Sequence, residues 1–238
     1  MERNELVLLR LSNQYLLHAG ERMRVLCAMN GFQAQFLSNA LYAMRLRSTA
    51  YDTAHAADSL VKSWTLRGTM HIFAEADLPL FLHTGCRYRS RDWTVPSFWN
   101  QRPNWALTPK RQAYFSDLII DALAQGPMTR EALKARCRAA GMTQAEEGSI
   151  FHPWGGGIRE LCERGFLCGT VSEEKAFRLC PAFTPMEEQD ALLEQTRRYF
   201  TNYGPASVRD AAYYFGSSQA EIKKRLARLP VVAAKYEG

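Results

Sequence analysis

The fold is decided by two similar stretches, Gly126-Pro127-Met128-Thr129-Arg130-Glu131-Ala132 and Gly204-Pro205-Ala206-Ser207-Val208-Arg209-Asp210-Ala211. Their first glycines are 78 residues apart. Each stretch follows an amphipathic segment, 111–124 in one case and 186–203 in the other. Each then offers a hydroxyl, Thr129 or Ser207, as the N-cap of a short helix with an acidic residue in its first turns. The chain is therefore predicted to repeat one helical unit.

A second pair of caps follows the first. Thr143-Gln144-Ala145-Glu146 and Ser218-Gln219-Ala220-Glu221 both match the Ser/Thr-x-x-Glu capping box. After a further helix at 158–164, two apolar runs at 166–170 and 176–180 flank a polar turn, which predicts a two-stranded wing. Three helices followed by a wing is the order of a winged helix, a relative of the helix-turn-helix. The predicted fold class is mainly α with short β-hairpin wings, in tandem winged-helix units.

The two ends of the chain fit the same outline less regularly. At the start, helices are predicted at 9–19, 22–30 and 37–46, then a short helical segment near 55–60 and one wing strand at 63–73. At the end, Pro230 to Tyr236 is expected to begin a wing strand, with Glu237-Gly238 as its turn. The predicted division is winged helix 1 at 1–92, an aromatic and basic linker at 93–109, winged helix 2 at 110–184, and winged helix 3 with a truncated wing at 185–238.

A polar hinge interrupts the first predicted unit at Asn30-Gly31-Phe32-Gln33-Ala34-Gln35-Phe36-Leu37-Ser38-Asn39. Gly31 is expected to end one helix, and Ser38 and Asn39 compete for the free N–H groups that begin the next. Gln33 and Gln35 then fall beside a helix N-terminus. An amide offers one acceptor and two donors, so it orients a water molecule but is a poor base. Alternatively, two such glutamines are simply polar residues of a solvent-exposed surface with no catalytic role.

A second polar row is predicted at Ser63-Trp64-Thr65-Leu66-Arg67-Gly68-Thr69-Met70-His71-Ile72-Phe73. As one strand, this stretch would place Thr65, Arg67, Thr69 and His71 on one face and apolar side chains on the other.

Together, "GFQAQ", the following "LYAMRLR" and "SWTLRGTMHIF" resemble the winged-helix DNA glycosylases of the AlkZ/YcaQ type. The resemblance implies that Gln33 and Gln35 are catalytic and that Arg67, Thr69 and His71 border the site. Arg45 and Arg47 are candidate phosphate contacts, although cations also suit the end of their helix. Full-length members of that family continue into a C-terminal β-barrel, which we expect to be missing from this sequence.

The resemblance implies a monofunctional DNA glycosylase acting on double-stranded DNA that carries N7-alkylated purines or related crosslink adducts. Alkylation at N7 puts positive charge on the base, so its glycosidic bond needs little acid catalysis. Neither paired carboxylates nor a lysine lies near the glutamines, which disfavours the usual glycoside-hydrolase and lyase mechanisms. The alternatives are a non-catalytic winged-helix DNA-binding protein, either a regulator or a degenerate paralogue, and a protein-interaction scaffold.

Composition limits the other possibilities. The 238 residues are 47% hydrophobic and carry a net charge of +6, which moderately favours an anionic partner such as nucleic acid. The sequence shows neither a signal-peptide pattern nor a run of about 20 apolar residues, so we expect a cytoplasmic, nucleoid-associated protein without a membrane or an obligate protein partner. The six cysteines and five histidines have no metal-ligand spacing, and we expect reduced structural thiols, no metal and no cofactor.

The linker contains Trp93, Trp99 and Trp105 at intervals of six residues, among prolines and arginines. These rings are expected either to stack on unpaired bases or to fasten a long loop onto the body of the protein.

Overall fold

The computed structural model describes residues 1–52, 55 and 57–235. Helices make up about half of the chain, and the remainder includes a small antiparallel sheet. In this described part the α-helices are α1 (Arg3–Asn13), α2 (Arg22–Ala28), α3 (Leu37–Arg47), α4 (Leu78–Phe81), α5 (Pro109–Leu123), α6 (Arg130–Ala139), α7 (Gln144–Ile150), α8 (Gly156–Glu163), α9 (Glu188–Asn202), α10 (Val208–Phe215) and α11 (Gln219–Leu226). The strands are β1 (Phe32–Gln33), β2 (Leu60–Trp64), β3 (Met70–Ala74), β4 (Met128–Thr129), β5 (Leu167–Gly169) and β6 (Ala176–Leu179).

All six strands form one sheet in the order β1-β3-β2-β5-β6-β4, and every pairing is antiparallel. β5 and β6 pair as a hairpin, which confirms the two strands predicted at 166–170 and 176–180. β2 pairs with β5 where Lys62 faces Gly169. The β2–β3 and β5–β6 hairpins are therefore neighbours in a shared sheet.

The predicted caps of the repeat are confirmed. Thr129 and Ser207 accept hydrogen bonds from the third residue of α6 and of α10, and Thr143 forms a complete capping box with Glu146. Ser218 caps α11 by accepting from the backbone of Glu221, but the Glu221 side chain accepts from Lys224 instead of returning to Ser218, so the capping box predicted there is incomplete. Each short helix thus begins at the residue that local hydrogen bonding selects.

Apolar side chains form a large cluster around α5 to α8 and two clusters that pack against the β2–β3 hairpin. A smaller cluster joins α9, α10 and α11. α9 also connects this last group to α2 and to the start of α4, because Arg198 bridges to Asp77 at 2.7 Å and donates to the carbonyl of Cys27. Asn30 in turn donates to the carbonyl of Gln195, in the middle of α9.

The prediction of one alternating strand at 63–73 is wrong. The chain reverses through a 3₁₀ turn at Leu66–Gly68, in which Arg67 and Gly68 have φ angles of +54° and +65°. Two successive left-handed residues turn the backbone, and the strands on either side pair as a hairpin. Thr65 and Arg67 consequently belong to the turn rather than to one face of a strand.

Other predicted boundaries also differ. The first helix was expected at 9–19 but lies at Arg3–Asn13. Around 55–60, the described residues form turns until β2 begins at Leu60, while 53, 54 and 56 lie outside the described residues. The expected last wing strand is wrong for 230–235, which have no regular secondary structure, and the predicted turn at 236–238 lies outside the described residues.

The linker is part of the packed structure. Trp93 and Trp99 are buried, and Trp105 packs against the large cluster around α5 to α8. The buried guanidinium of Arg164 lies 4.2 Å from the centre of the Trp93 ring and donates to the carbonyl groups of Ser90 and Asp92. The tryptophans therefore fasten the loop, and base stacking by Trp93 and Trp99 is ruled out because their faces are covered.

Within the described residues, none of the helices combines the length and the apolar composition that crossing a bilayer would require.

Candidate active site

The position of Gln33 depends on a close backbone approach at Gly31. After α2, Asn30 and Gly31 adopt left-handed φ angles of +55° and +75°. A Cβ atom on Gly31 would lie 2.5 Å from the carbonyl oxygen of Ile72, so this position requires glycine. β1 can therefore pair with β3, which sets Gln33 opposite His71.

Both predicted catalytic amides are exposed. Between them, Ala34 is buried and its N–H donates to the carbonyl of Met70 at 2.7 Å. Because β1 lies at the end of the sheet order, Gln33 reaches solvent from an edge strand, and Gln35 is exposed two residues after that strand ends.

The helix after the glutamines begins without the predicted polar cap. Phe36 is the N-cap residue of α3 and makes no side-chain capping hydrogen bond, while Ser38 and Asn39 lie inside the helix. Phe36 is also 68% exposed. The first N–H groups of α3 are thus not satisfied by a side-chain cap, and Gln35 directly precedes them.

His71 contributes a neutral imidazole beside Gln33. The side chain is only 5% exposed, and its Nδ1 lies 3.0 Å from the carbonyl oxygen of Thr69. Burial lowers the pKa of His71, the Thr69 carbonyl partly opposes this, and the charge of Arg67 lowers it further. A neutral ring whose Nδ1–H donates to Thr69 keeps Nε2 as a hydrogen-bond acceptor.

Thr69 stabilises the turn between β2 and β3. Its hydroxyl donates to the carbonyl of Leu66 at 3.1 Å and its backbone N–H donates to the same oxygen. Both bonds close the turn that carries Arg67. Thr69 thereby supports the predicted site from within the hairpin.

Arg67 extends from the turn towards α10. Its guanidinium carbon lies 5.6 Å from the centre of the Tyr213 ring and 5.7 Å from that of Tyr214. The cation–π geometry holds an exposed cation in place without neutralising its charge. A left-handed backbone at a residue other than glycine is itself a feature that concentrates at functional sites.

Two further arginines lie at the end of α3. Arg47 lies over the ring of Phe32 at 5.6 Å, which places it next to the strand of Gln33, and burial lowers its pKa. Arg45 is exposed and makes no hydrogen bond or ion pair with any described residue. The structure therefore brings Arg47 close to the glutamine strand and leaves Arg45 available at the surface.

The sequence interpretation missed the tyrosines that complete this region. Tyr203 and Tyr214 have ring centres 5.3 Å apart, and burial raises the pKa of both. Tyr213 beside them is 78% exposed. The only sequence signal was an aromatic run at the end of the second repeat stretch, which gives no indication that α10 docks on the β2–β3 turn.

Within the described residues, no group of three or more histidine, cysteine, aspartate and glutamate side chains is arranged to hold a metal ion. All six cysteines are free thiols.

Comparisons with known proteins agree on one family. Residues 26–237 match the family described as "DNA glycosylase AlkZ-like". The chain is 29% identical over 195 residues to the interstrand DNA cross-link repair glycosylase of Streptomyces sahachiroi, an alignment covering 75% of this chain and 50% of that protein. The solved structure of the Streptomyces sahachiroi DNA glycosylase AlkZ superposes with a TM-score of 0.72 at 23% identity, covering 97% of this chain and 66% of the other.

The chain thus spans about half the length of the curated relative that it matches. The structural likeness supports the same fold, and the family match covers the glutamine strand, the β2–β3 hairpin and the docked tyrosines. On this evidence, the chain belongs to the AlkZ-like DNA glycosylase family.

Proposed function

We propose that this chain is a DNA glycosylase that removes N7-alkylated purines or related crosslink adducts from double-stranded DNA. The observation that carries the proposal is the placement of two exposed amides, Gln33 on the edge strand β1 and Gln35 just after it. Gly31 allows this strand to pair with β3, Arg47 lies over Phe32 of the same strand, and the charge of Arg67 acts on His71 opposite Gln33. The relative from Streptomyces sahachiroi is named as an interstrand DNA cross-link repair glycosylase, which supports the same substrate class.

The chemistry asks little of the protein beyond positioning. N7 alkylation makes the base a good leaving group, and the sugar develops positive charge as the bond breaks. Amide oxygens of Gln33 and Gln35 hold the attacking water and stabilise that charge, an effect typically worth about 3 to 4 kcal/mol for one well-placed group. The His71 imidazole lies opposite Gln33 in the sheet and stays neutral, so it adds no opposing charge.

The cations position the DNA in this proposal. Arg67, presented on the turn, and Arg47 and Arg45, at the end of α3, contact backbone phosphates on either side of the lesion. Thr69 acts indirectly, by holding the turn.

The finer architecture is proposed on the same basis. We assign 110–184 to a winged helix, because α5, β4, α6, α7, α8 and the β5–β6 hairpin follow one another in the order of that fold. The units at 1–92 and 185–238 are the proposed first and third, joined by the packed segment 93–109.

The test is release of free 7-methylguanine from N7-methylated duplex DNA under single-turnover conditions. We expect Gln35→Ala and Gln33→Ala to slow release by about 100-fold or more while duplex binding and the thermal unfolding midpoint stay unchanged. Gln125→Ala is the matched control, since Gln125 is an exposed glutamine just after α5. Unchanged release in both variants, or binding restricted to one undamaged sequence, would contradict the proposal and favour a regulator.

A further inference from the structure

A cavity of about 430 Å³ lies beside the glutamine site but does not include Gln33 or Gln35. It is open to solvent and is lined by the β2–β3 turn, the segment after α4, the linker near Phe98, parts of α8 and α9, and the region of α10 and α11. Its volume falls in the range of about 300 to 1,000 Å³ that is usual for small-molecule sites. We call it the arginine cavity, after Arg67, Arg87 and Arg225 in its lining.

The three arginines bring positive charge to the lining, and at Arg225 the charges of Glu221 and Glu188 offset part of it. None of them forms an ion pair with any described residue. Two glutamates also line the cavity, but Glu160 is paired with Arg164 and Glu163 with Arg159. Arginine without a carboxylate partner in a partly desolvated site is poised to bind an anion, and its planar fork suits phosphate.

Polar atoms in the lining point to the same conclusion. Nη1 of Arg225, Oγ1 of Thr65 and Nδ1 of His83 are buried and have no protein hydrogen-bond partner among the described residues. His83 is only 8% exposed. Buried polar atoms are nearly always hydrogen-bonded in folded proteins, and each such exception calls for a ligand or another explanation. The three residues that carry these atoms all belong to the lining of the cavity.

Aromatic rings supply a second type of surface. Trp64, Phe98 and Phe215 line the cavity together with the arginines, and Phe98 is 72% exposed. Phe98 is held edge-on against the buried ring of Trp99, with centres 5.2 Å apart. Exposed, fixed aromatic rings are the usual stacking surface for an unpaired nucleobase.

We propose that the arginine cavity binds one nucleotide of a DNA strand, with its phosphate on Arg67, Arg87 and Arg225 and its base against Phe98 and Phe215. The source of the nucleotide rests on the proposed function, which supplies DNA as the partner. Arg67 belongs to both regions, since it lines the cavity and also lies against the tyrosines beside the glutamine site. The bound nucleotide is therefore a neighbour of the lesion rather than the lesion that Gln33 and Gln35 attack.

The test is titration of the intact chain with deoxyadenosine monophosphate, followed by the NMR signal of the Trp64 indole N–H, which a Trp64→Phe variant assigns. We expect saturable binding that is at least about tenfold tighter than binding of deoxyadenosine or of inorganic phosphate, since the cavity offers both kinds of contact. Equal affinity for phosphate alone would overturn the nucleotide assignment, and absence of saturable binding would overturn the site.

Variants make the test specific. Arg225→Gln is expected to weaken binding of the nucleotide at least tenfold, and Arg225→Lys is expected to weaken it less while preserving the charge. Lys224→Gln is the control, because Lys224 is the neighbouring residue of α11, is bridged to Glu221 and does not line the cavity. Thermal unfolding of each variant is measured in parallel, and equal weakening by Lys224→Gln would overturn the assignment.

The outcome is independent of base release. Gln35→Ala is expected to bind deoxyadenosine monophosphate like the unmodified chain, because Gln35 lies outside the cavity. Loss of release with retained nucleotide binding would support both proposals. Retained release without nucleotide binding would overturn the cavity assignment alone, and nucleotide binding without any release would overturn the glycosylase proposal alone.

Discussion

The helix pairs α6–α7 and α10–α11 begin with the same type of caps, but they pack against different parts of the protein. The first pair packs with α5 and α8 around a large apolar cluster and lies beside its own β5–β6 wing. The second pair shares a small cluster with α9, and α10 docks on the β2–β3 turn of the first unit. One helix pair lies within the large cluster, while the other contributes Tyr213 beside Arg67 and Arg225 in the lining of the arginine cavity.

The largest expected effect is in the core of the first pair. Phe115 on α5 is fully buried within the large cluster, and the guanidinium of Arg111 lies 4.6 Å from its ring centre. Phe115→Ala should lower the free energy of unfolding by about 3 to 5 kcal/mol, because a cavity replaces a buried ring. Urea denaturation measures this cost. A loss below about 1 kcal/mol would show that the first pair does not depend on the cluster.

A smaller and more local effect is expected in the second pair. Ile222 on α11 is fully buried against Tyr199 and Ala211. Ile222→Ala should cost about 2 kcal/mol, at the low end for such truncations because the small cluster can partly collapse. Amide hydrogen exchange should accelerate in 208–226 and stay unchanged in β2 and β3. Val232→Ala is the control, since Val232 is almost fully exposed. Equal acceleration in the sheet would contradict the local character of this pair.

The same contrast explains which parts of the fold could be predicted from sequence. Thr129, Thr143, Ser207 and Ser218 were identified correctly because a cap depends on a hydrogen bond to a backbone only three residues away. The hairpin at 60–74 was missed because its turn requires a left-handed arginine, a conformation that no residue pattern marks. The pairing of β2 with β5 joins residues about a hundred positions apart and has no local signal.

For the candidate site, the sequence identified side chains but not their surroundings. Gln33, Arg47 and His71 do come together around β1 and β3. What could not be predicted is that His71 is buried and neutral. The docking of Tyr213 and Tyr214 against Arg67 likewise depends on how α9 positions the last helices, and tertiary contacts of that kind follow from packing rather than from a motif.

A still smaller difference in stability is expected between the caps of α7 and α11, which are the second helices of the two pairs. Thr143 belongs to a full capping box, whose Glu146 also binds Arg111, while Ser218 makes a single capping hydrogen bond. Thr143→Ala should therefore cost about 1 to 2 kcal/mol and Ser218→Ala about 0.5 to 1 kcal/mol. Thermal unfolding of both variants measures the difference. Thr143→Ser and Ser218→Thr are the controls, since each keeps the capping hydroxyl, and a larger cost at Ser218 would reverse the argument.

The smallest effect appears only in acid. Hydrogen bonds from Arg111, together with those from the backbone N–H and hydroxyl of Thr143 and against the opposing effect of burial, lower the pKa of Glu146 from its usual 4.5 to about 2. A carboxyl group whose pKa is depressed on folding stabilises the folded chain above its unfolded value, and that stability is lost as the pH falls from about 4.5 towards 2. In Glu146→Gln, the thermal unfolding midpoint should therefore change less with pH between about 4.5 and 2 than it does in the unmodified chain. Among the described residues Glu221 forms its ion pair with the exposed Lys224, so Glu221→Gln should leave the fall of the thermal midpoint in acid nearly unchanged. If the thermal midpoints of Glu146→Gln and of the unmodified chain fall in parallel as the pH is lowered, this prediction is contradicted. The Glu146 carboxylate would then contribute no more to the stability of α6–α7 than the exposed Glu221–Lys224 ion pair contributes to that of α10–α11.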